Sequence, residues 1–271
     1  MPELPEVETT KRGIEPYIYE RKIDSIYLSK YDLRIKFNKN QKNNILNTEI
    51  EGVRRRAKYI LIDFKNKYSL LIHLGMTGNL RVADTLNLDK HDHIAFSLNS
   101  NKHLIFNDVR RFGLILIIKT EQKHRLLENN GPDPFEKSAD SKYFQEKIEN
   151  SKSTIKSILL NNKIISGIGN IYACEILFAS KISPLKIGSS INQGLSKIIL
   201  KNSKKILKKA IDAGGTTLND YFNADAKPGY FKIQLNVYDR EGKACKKCGQ
   251  KIKRIIQNSR STFFCSKCQL K

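Results

Sequence analysis

The stretch ENNGPDPFE, residues 128–136, is where the rhythm of the chain changes. Between about residue 22 and residue 119 the apolar residues come in short alternating runs: KIDSIYLSK, LRIKF, YILIDF, SLLIHL, HIAFSL and HLIF, broken by Asn, Lys, Ser and Gly. A period of two over four to eight residues is the pattern of strands with one buried face. After residue 136 the period becomes helical, in SKYFQEKIEN, STIKSILLNN, NIYACEILFAS and LSKIILKNSKKILKKAIDA. Gly131, Pro132 and Pro134 can continue neither pattern, so the linker falls at 129–134. The expected fold is α+β and multi-domain, with an N-terminal helix and antiparallel β-sandwich (1–130), a helical domain (131–238) and a cysteine-rich tail (239–271).

Composition bounds the function. At 271 residues with 39% hydrophobic side chains, the chain can bury a substantial core. The longest apolar run of the first half, LILII at 114–118, is far too short to span a bilayer, and the N-terminus has no basic-then-apolar leader. A cytoplasmic protein without a membrane partner is expected. Lys and Arg total 49 against 27 Asp and Glu, a net charge of +22, which favours an anionic polymer as partner. Because Lys, Asn and Ile are abundant throughout, as an A·T-rich genome would produce, charge alone points only weakly to nucleic acid.

The opening PELPEVETTKRG, residues 2–13, crowds two prolines and three carboxylates ahead of any strand. Pro5 suits the first position of a helix, with Glu3, Glu6 and Glu8 at the positive end of its dipole and Gly13 and Pro16 closing it. That leaves Pro2 unexplained. With Met1 removed, Pro2 would carry a terminal amine of pKa near ~8 against ~10.4 for lysine, a nucleophile that needs no further activation. Both a structural and a nucleophilic Pro2 are compatible with these residues alone.

The tail holds Cys245-Lys-Lys-Cys248 and Cys265-Ser-Lys-Cys268, separated by sixteen residues. Two CxxC knuckles at this spacing suit a four-cysteine zinc site, and a site whose four ligands are all protein is structural. Disulfides are the alternative, which the missing secretory leader disfavours. Between the knuckles, two strands around an Asn-Ser turn are predicted, with Arg260 near the tip. Arg260 reads equally as a phosphate contact or a solvated arginine. Cys174, in an apolar helical pattern, reads as core. Upstream, a helix through Leu160 is followed by turns at Gly167 and Gly169 and a second helix from Asn170. Such an arrangement admits close backbone approach and offers a helix start to a phosphate. HDH at 91–93 has metal-ligating residue types, but three in a strand-like run rarely make a site.

Seven blocks occur in order: PELPEVE, RRRAKYIL (54–61), HLGMTGNLR (73–81), KHDH (90–93), DVRRFG (108–113), GIGNIYACEILF (167–178) and the four-cysteine hairpin. Together they resemble bacterial formamidopyrimidine-DNA glycosylase over essentially the whole chain. The resemblance implies a bifunctional monomeric repair enzyme of the bacterial cytosol, acting on double-stranded DNA that contains oxidised bases. It would remove 8-oxoguanine and formamidopyrimidines and then cleave the abasic site by β,δ-elimination. It also implies a helix–two-turn–helix DNA-binding domain and a zinc-finger β-hairpin holding one zinc ion on Cys245, Cys248, Cys265 and Cys268. Pro2 would be the Schiff-base nucleophile, Glu3 the general acid and base, Glu6 a supporting carboxylate, Lys58 the residue of β-elimination and Arg260 that of δ-elimination. Met76, Arg110 and Phe112 would fill the gap left by the extruded base, with Arg110 donating to the orphaned cytosine. Read without the family, Met76 and Phe112 could be core residues, although each sits next to a glycine in an expected loop, which favours exposure. His91, Arg111 and Asn170 match DNA-contacting positions, and Lys152 and Lys156 lie where a basic phosphate contact is expected, although Ser151 stands at a position often basic in relatives. Residues 214–231 correspond to the loop that folds over the extruded base. Two alternatives are an endonuclease VIII-type glycosylase for oxidised pyrimidines, against which the PEL opening and the Met-Arg-Phe set argue, and a non-catalytic zinc-dependent DNA-binding protein.

Overall fold

A computed structural model of the chain describes residues 2–216 and 234–270. These fall into two compact units, residues up to 127 with 211–216, and residues 128–210 with 234–270.

The first unit opens with helix α1 (Leu4–Ile18). Glu3 is its extended N-cap, and the Glu3 amide donates to Glu6 Oε2 at 2.8 Å, one side of a capping box. Pro5 stands second in the helix rather than first, where its missing N–H is equally unneeded. The helix also runs through Gly13 and Pro16, which were expected to end it, because Ile14 and Ile18 on the next turns are fully buried. Surface pairs Arg12–Glu8 and Lys11–Glu15 link successive turns.

Eight strands follow: β1 (Ile23–Leu28), β2 (Ile50–Arg56), β3 (Tyr59–Phe64), β4 (Tyr68–His73), β5 (Asn79–Ala83), β6 (Asp92–Leu98), β7 (His103–Asn107) and β8 (Leu114–Lys119). They form two antiparallel four-stranded sheets, ordered β1-β6-β7-β5 and β2-β3-β4-β8. One core joins them, with Ile60, Ile62, Phe64, Leu70, Ile72 and Ile115 from one sheet and Ile94, Phe96, Leu104 and Phe106 from the other. The unit is a β-sandwich, as the alternation predicts. LRIKF is the exception, since it forms an irregular loop. Leu33 and Phe37 still enter the core, and the Arg34 amide bonds the Gly113 carbonyl, so the segment is held by its apolar residues without a strand partner.

The second unit follows the short helix α2 (Arg125–Glu128). It holds α3 (Ser141–Ile148), capped by Asp140, α4 (Ile155–Leu159), capped by Thr154, α5 (Asn170–Ser180), and most of α6 (Gln193–Asp212). The hairpin β9 (Lys253–Gln257) and β10 (Arg260–Phe264) turns through Asn258 and Ser259, both at positive φ, as a two-residue hairpin with the native twist requires. Cys174 and Phe178 on α5 pack with Val237, Ile252 and Phe263, which ties the hairpin to the helices.

At the edge of the sandwich, Asp92 is fully buried and receives Arg81 through two bonds of 2.8 Å, with the Asn107 amide and the Asp89 N–H. HDH is thus an ion-pair strand rather than a metal centre. Burial pushes the Asp92 carboxyl up, but these donors outweigh it and hold the group below the ordinary carboxylate range. A carboxyl depressed in the folded state stabilises above its unfolded pKa of ~3.9 and loses that contribution as pH falls through the folded value. Asp92→Asn should therefore destabilise the unit by about 1.5–3 kcal/mol at pH 7, since it leaves the partly exposed Arg81 with only Asp89 at 3.7 Å. Urea unfolding at pH 7 and at pH 3 should show the gap and its narrowing; equal stability at pH 7 would contradict the assignment.

Candidate functional site

In the first unit the start of α1 gathers three of the expected residues. Pro2, Glu3 and Glu6 are buried. Glu6 uses both oxygens, since Oε2 accepts from the Glu3 amide and Oε1 accepts from the Thr216 amide at 2.8 Å. It fixes the backbone of the residue beside Pro2 and ties it to residue 216. Lys58 is the second residue of the tight turn between β2 and β3, where Ala57 takes a positive φ, and it is only 6% exposed. Its charge reaches His73: burial first, then Arg34 and Lys58, hold that imidazole down to about 4. His73 is therefore neutral at pH 7, and its Nδ1 accepts from the Gly75 amide at 3.0 Å.

That bond shapes the loop carrying Met76. Gly75 lies at φ +65°, and a Cβ there would sit 2.5 Å from the Gly113 nitrogen, so the loops 74–78 and 108–113 run in direct contact. Asp108 organises the second loop. Its buried carboxylate accepts from the Gly113 amide at 2.7 Å, the Arg110 amide at 3.2 Å and Thr77 Oγ1 at 2.5 Å. Above this polar floor Met76 is 40% exposed and Phe112 44%, which settles against their being core residues. The Arg110 guanidinium lies 4.7 Å from the centre of the Phe112 ring. Arg111, at positive φ, stacks at 5.3 Å on Tyr31, which meets His93 edge-on. His93 in turn bonds Ser29 and the Asp108 carbonyl at 3.0 Å, and His91 lies at the root of the same loop, its carbonyl accepting from the Asp108 amide. The structure thus brings Met76, Arg110, Arg111 and Phe112 onto one pair of adjoining loops.

In the second unit the convergence point is a backbone carbonyl. Ser261 O, next to Arg260, accepts from Lys156 Nζ at 3.1 Å and from Asn170 Nδ2 at 2.9 Å, and Lys156 also donates to Thr262 Oγ1 at 2.6 Å. Lys156 is 1% exposed, so its ammonium braces the hairpin, whereas Lys152 is exposed. Gly167, at φ +89°, makes the turn before α5, which starts at Asn170 with glycine as its cap and no capping side chain across it. Arg260 begins β10 beside the hairpin turn and is exposed.

The four tail cysteines have their sulfurs within 4.8 Å of one another, with Cys245 to Cys268 at 3.9 Å and Cys248 to Cys265 at 3.5 Å. A tetrahedral zinc with sulfurs at ~2.3 Å requires separations of about 3.8 Å, so the cluster fits the ion. A disulfide would need ~2.05 Å, and all four cysteines are free thiols. The Gln250 amide leads in holding Cys248 down to about 7, while burial and the neighbouring thiols push Cys268 up to about 12. Four thiolates so close together need a cation between them.

Residues 1–115 match the formamidopyrimidine-DNA glycosylase N-terminal domain, 130–221 the H2TH domain of the same enzyme, and 242–270 the zinc finger found in FPG and IleRS. The chain belongs to the formamidopyrimidine-DNA glycosylase family. It is 44% identical to the formamidopyrimidine-DNA glycosylase of Rickettsia bellii, with 99% of each chain covered. Among solved structures it is similar to the MutM (Fpg) protein of Thermus thermophilus, at 31% identity and TM-score 0.89 over 99% of this chain and 98% of that one. It is also similar to a Lactococcus lactis FPG point mutant in complex with a Fapy-dG containing DNA, at 35% identity and TM-score 0.92 over 100% of both. Among the described residues the four cysteines are the one cluster that could hold a metal, and they fit the structural zinc of that finger.

Asp108, Thr77, His73 and Tyr31 were not singled out from the sequence. An Asp opening DVRRFG is a recognisable turn signal, since its side chain can bond amides further along. Nothing in the sequence marks Tyr31, whose ring meets Arg111 and His93 from far along the chain. Most of the 214–231 loop lies outside the described residues. The zinc carries a prediction: metal analysis should give about one zinc per chain. Its removal by a chelator, or Cys268→Ser, should abolish protease resistance of the hairpin while the sandwich, whose core uses none of its residues, still unfolds cooperatively. A hairpin that stays protected without metal would overturn the assignment.

Proposed function

We propose that the chain excises oxidised purines from duplex DNA and cleaves the resulting abasic site, working as a monomer in the bacterial cytoplasm. The observation that carries this reading is its full-length likeness to a relative crystallised on a Fapy-dG containing DNA. The local geometry supports it. With Met1 removed, the Pro2 amine would attack C1′ of the damaged nucleotide. The base leaves, and the resulting iminium acidifies the C2′ proton for elimination. Glu3, buried beside Pro2 with its amide fixed by Glu6, is assigned proton transfer to the sugar oxygen as the ring opens. Lys58 is assigned β-elimination and Arg260 δ-elimination. We assign the backbone contacts to His91, Arg111, Lys152 and Asn170, with Lys156 as the brace that holds the Arg260 hairpin. The division of labour we propose is base excision and β-elimination by 1–130, DNA holding by 131–238 and, in 239–271, a zinc-stabilised finger that carries Arg260.

Borohydride reduces an iminium in place, so it should link the protein covalently to lesion-containing duplex through residue 2. Pro2→Gly, or blocked removal of Met1, should weaken that link at least tenfold. A cross-link mapped to a lysine, with Pro2→Gly fully active, would sink the nucleophile. It would leave a pyrimidine-directed glycosylase or a non-catalytic binder to be separated by lesion preference.

Arg110 sets the choice of opposite base. A guanidinium has five donors and no acceptor, so it suits cytosine, whose O2 and N3 both accept, better than adenine, whose pairing edge offers one acceptor and one donor. Stacking on Phe112 already holds the guanidinium in place. Loss of a bidentate base contact is worth about 1–3 kcal/mol, so cleavage opposite C should exceed that opposite A about five- to 160-fold. Arg110→Ala should narrow the ratio, and Lys58→Ala should slow both pairs alike. Equal single-turnover rates for the two pairs in the wild type would show that Arg110 does not read the base.

A further inference from the structure

The basic face of α6 has no part in the site described above. Of the eight exposed positions between 197 and 212, six are lysine: Lys197, Lys201, Lys204, Lys205, Lys208 and Lys209. The others are Ile198 and, at the very end, Asp212. Lys197, Lys201, Lys204 and Lys208 follow each other at helical spacing and form a stripe about 16 Å long. The opposite face, with Ile199, Leu200, Leu207 and Ala210, is buried. None of the six lysines has an ion-pair partner among the described residues. On α1 the surface cations Lys11 and Arg12 are each answered by a glutamate one turn away. On α6 the same spacings set lysine against lysine, at 197/201, 201/205, 204/208 and 205/209, and every such pair disfavours the helix. A bias toward lysine explains how the residues arose, but not why α6 carries no acid before Asp212. The one acid beside the stripe, Asp140, lines a pocket with Lys197, Lys201 and Lys204 but caps α3 and pairs with none of them.

From this unanswered stripe we infer a second nucleic-acid surface, one that takes the phosphate backbone of a further stretch of undamaged duplex without reading its bases. Phosphodiester charge suits it, because duplex DNA carries one negative charge per ~1.7 Å of axis and lysine is a point charge with no shape requirement. The surface is separate from the Asn170 cluster. Asn202 of α6 bonds Ser180 at the C-terminal end of α5, about 15 Å along that helix from Asn170 at its start. Two duplex contacts on one molecule would let it pass from one DNA segment to another without full release, which suits an enzyme that must search undamaged DNA. This inference rests on the glycosylase reading only for that purpose.

The test is the quadruple variant K197Q/K201Q/K204Q/K208Q, beside a control with the same charge change at exposed lysines elsewhere, K22Q/K39Q/K119Q/K137Q. Glutamine matches lysine in helix propensity, so α6 should remain folded. Binding to undamaged duplex should lose salt dependence in the α6 variant, the log–log slope falling by about 0.9 per contact and by up to about 3.6 for four. Dissociation from a labelled duplex, which competitor duplex should accelerate for the wild type, should become independent of competitor for the α6 variant. Single-turnover excision from a short lesion duplex should not change. Equal slopes in the two quadruple variants would overturn the inference, as would loss of short-duplex excision in the α6 variant or a deficit confined to anionic vesicles. A wild type inactive on the short lesion duplex, with the slope difference intact, would refute the glycosylase reading and leave the surface standing.

Discussion

A buried carboxylate taking main-chain amides is the interaction on which the functional surfaces depend. Asp108 receives the Arg110 and Gly113 amides, Glu6 those of Glu3 and Thr216, and Glu175 those of Asn236, Val237 and Tyr238. A carboxylate removed from water destabilises the fold unless donors replace the lost hydration, and two or three backbone N–H groups supply those donors. The bond also works in reverse, because each amide that donates to the carboxylate has its position fixed. Irregular backbone, which has no ladder to hold it, is thereby made as definite as a strand.

What this rigidity supports is exposure. Met76 and Phe112 stand in solvent as large apolar groups, and folding alone would have driven them inward. Their loops cannot collapse because the polar floor beneath is already saturated: Thr77 and Asp108 hold one another, and neutral His73 holds Gly75. Arg110 and Arg111 sit over the rings of Phe112 and Tyr31, so their guanidinium groups are positioned before any partner arrives. Binding then pays little entropy for ordering those side chains.

The sequence made some of this legible and not the rest, for physical reasons. Period-two alternation located the sandwich and the helical period located α3, α5 and α6, since burial of one face writes itself into spacing. The cysteine spacing located the metal site because two knuckles leave few other geometries. LRIKF misled because Leu33 and Phe37 bury as strand residues do while the backbone finds no partner strand, a fact of tertiary contact alone. Pro16 misled because local propensity was outweighed by the burial of Ile14 and Ile18. Asp108 stood inside a quoted block, yet its role depends on Thr77 thirty-one residues away.

Lysine shows most plainly that residue type does not decide role. Lys156 is sealed from solvent, with its ammonium answered by the neutral acceptors Ser261 O and Thr262 Oγ1, so it has become part of the hairpin's support. Lys58, in a turn where side chains usually reach water, is itself buried, and its charge adds to burial and Arg34 in holding His73 neutral. Lys152 and the α6 lysines are exposed, and their charge acts outward, over roughly a Debye length of ~8 Å at physiological salt. A net charge of +22 is therefore a sum over unlike groups, some of which hold the fold while others face the solvent. The surface excess comes from number, 49 cations against 27 acids, and turning Glu6, Asp108 and Glu175 inward onto backbone amides adds only slightly to it. The buried acids thus order the loops while the far more numerous exposed cations set the field outside, and that basic field is what a phosphate backbone meets first.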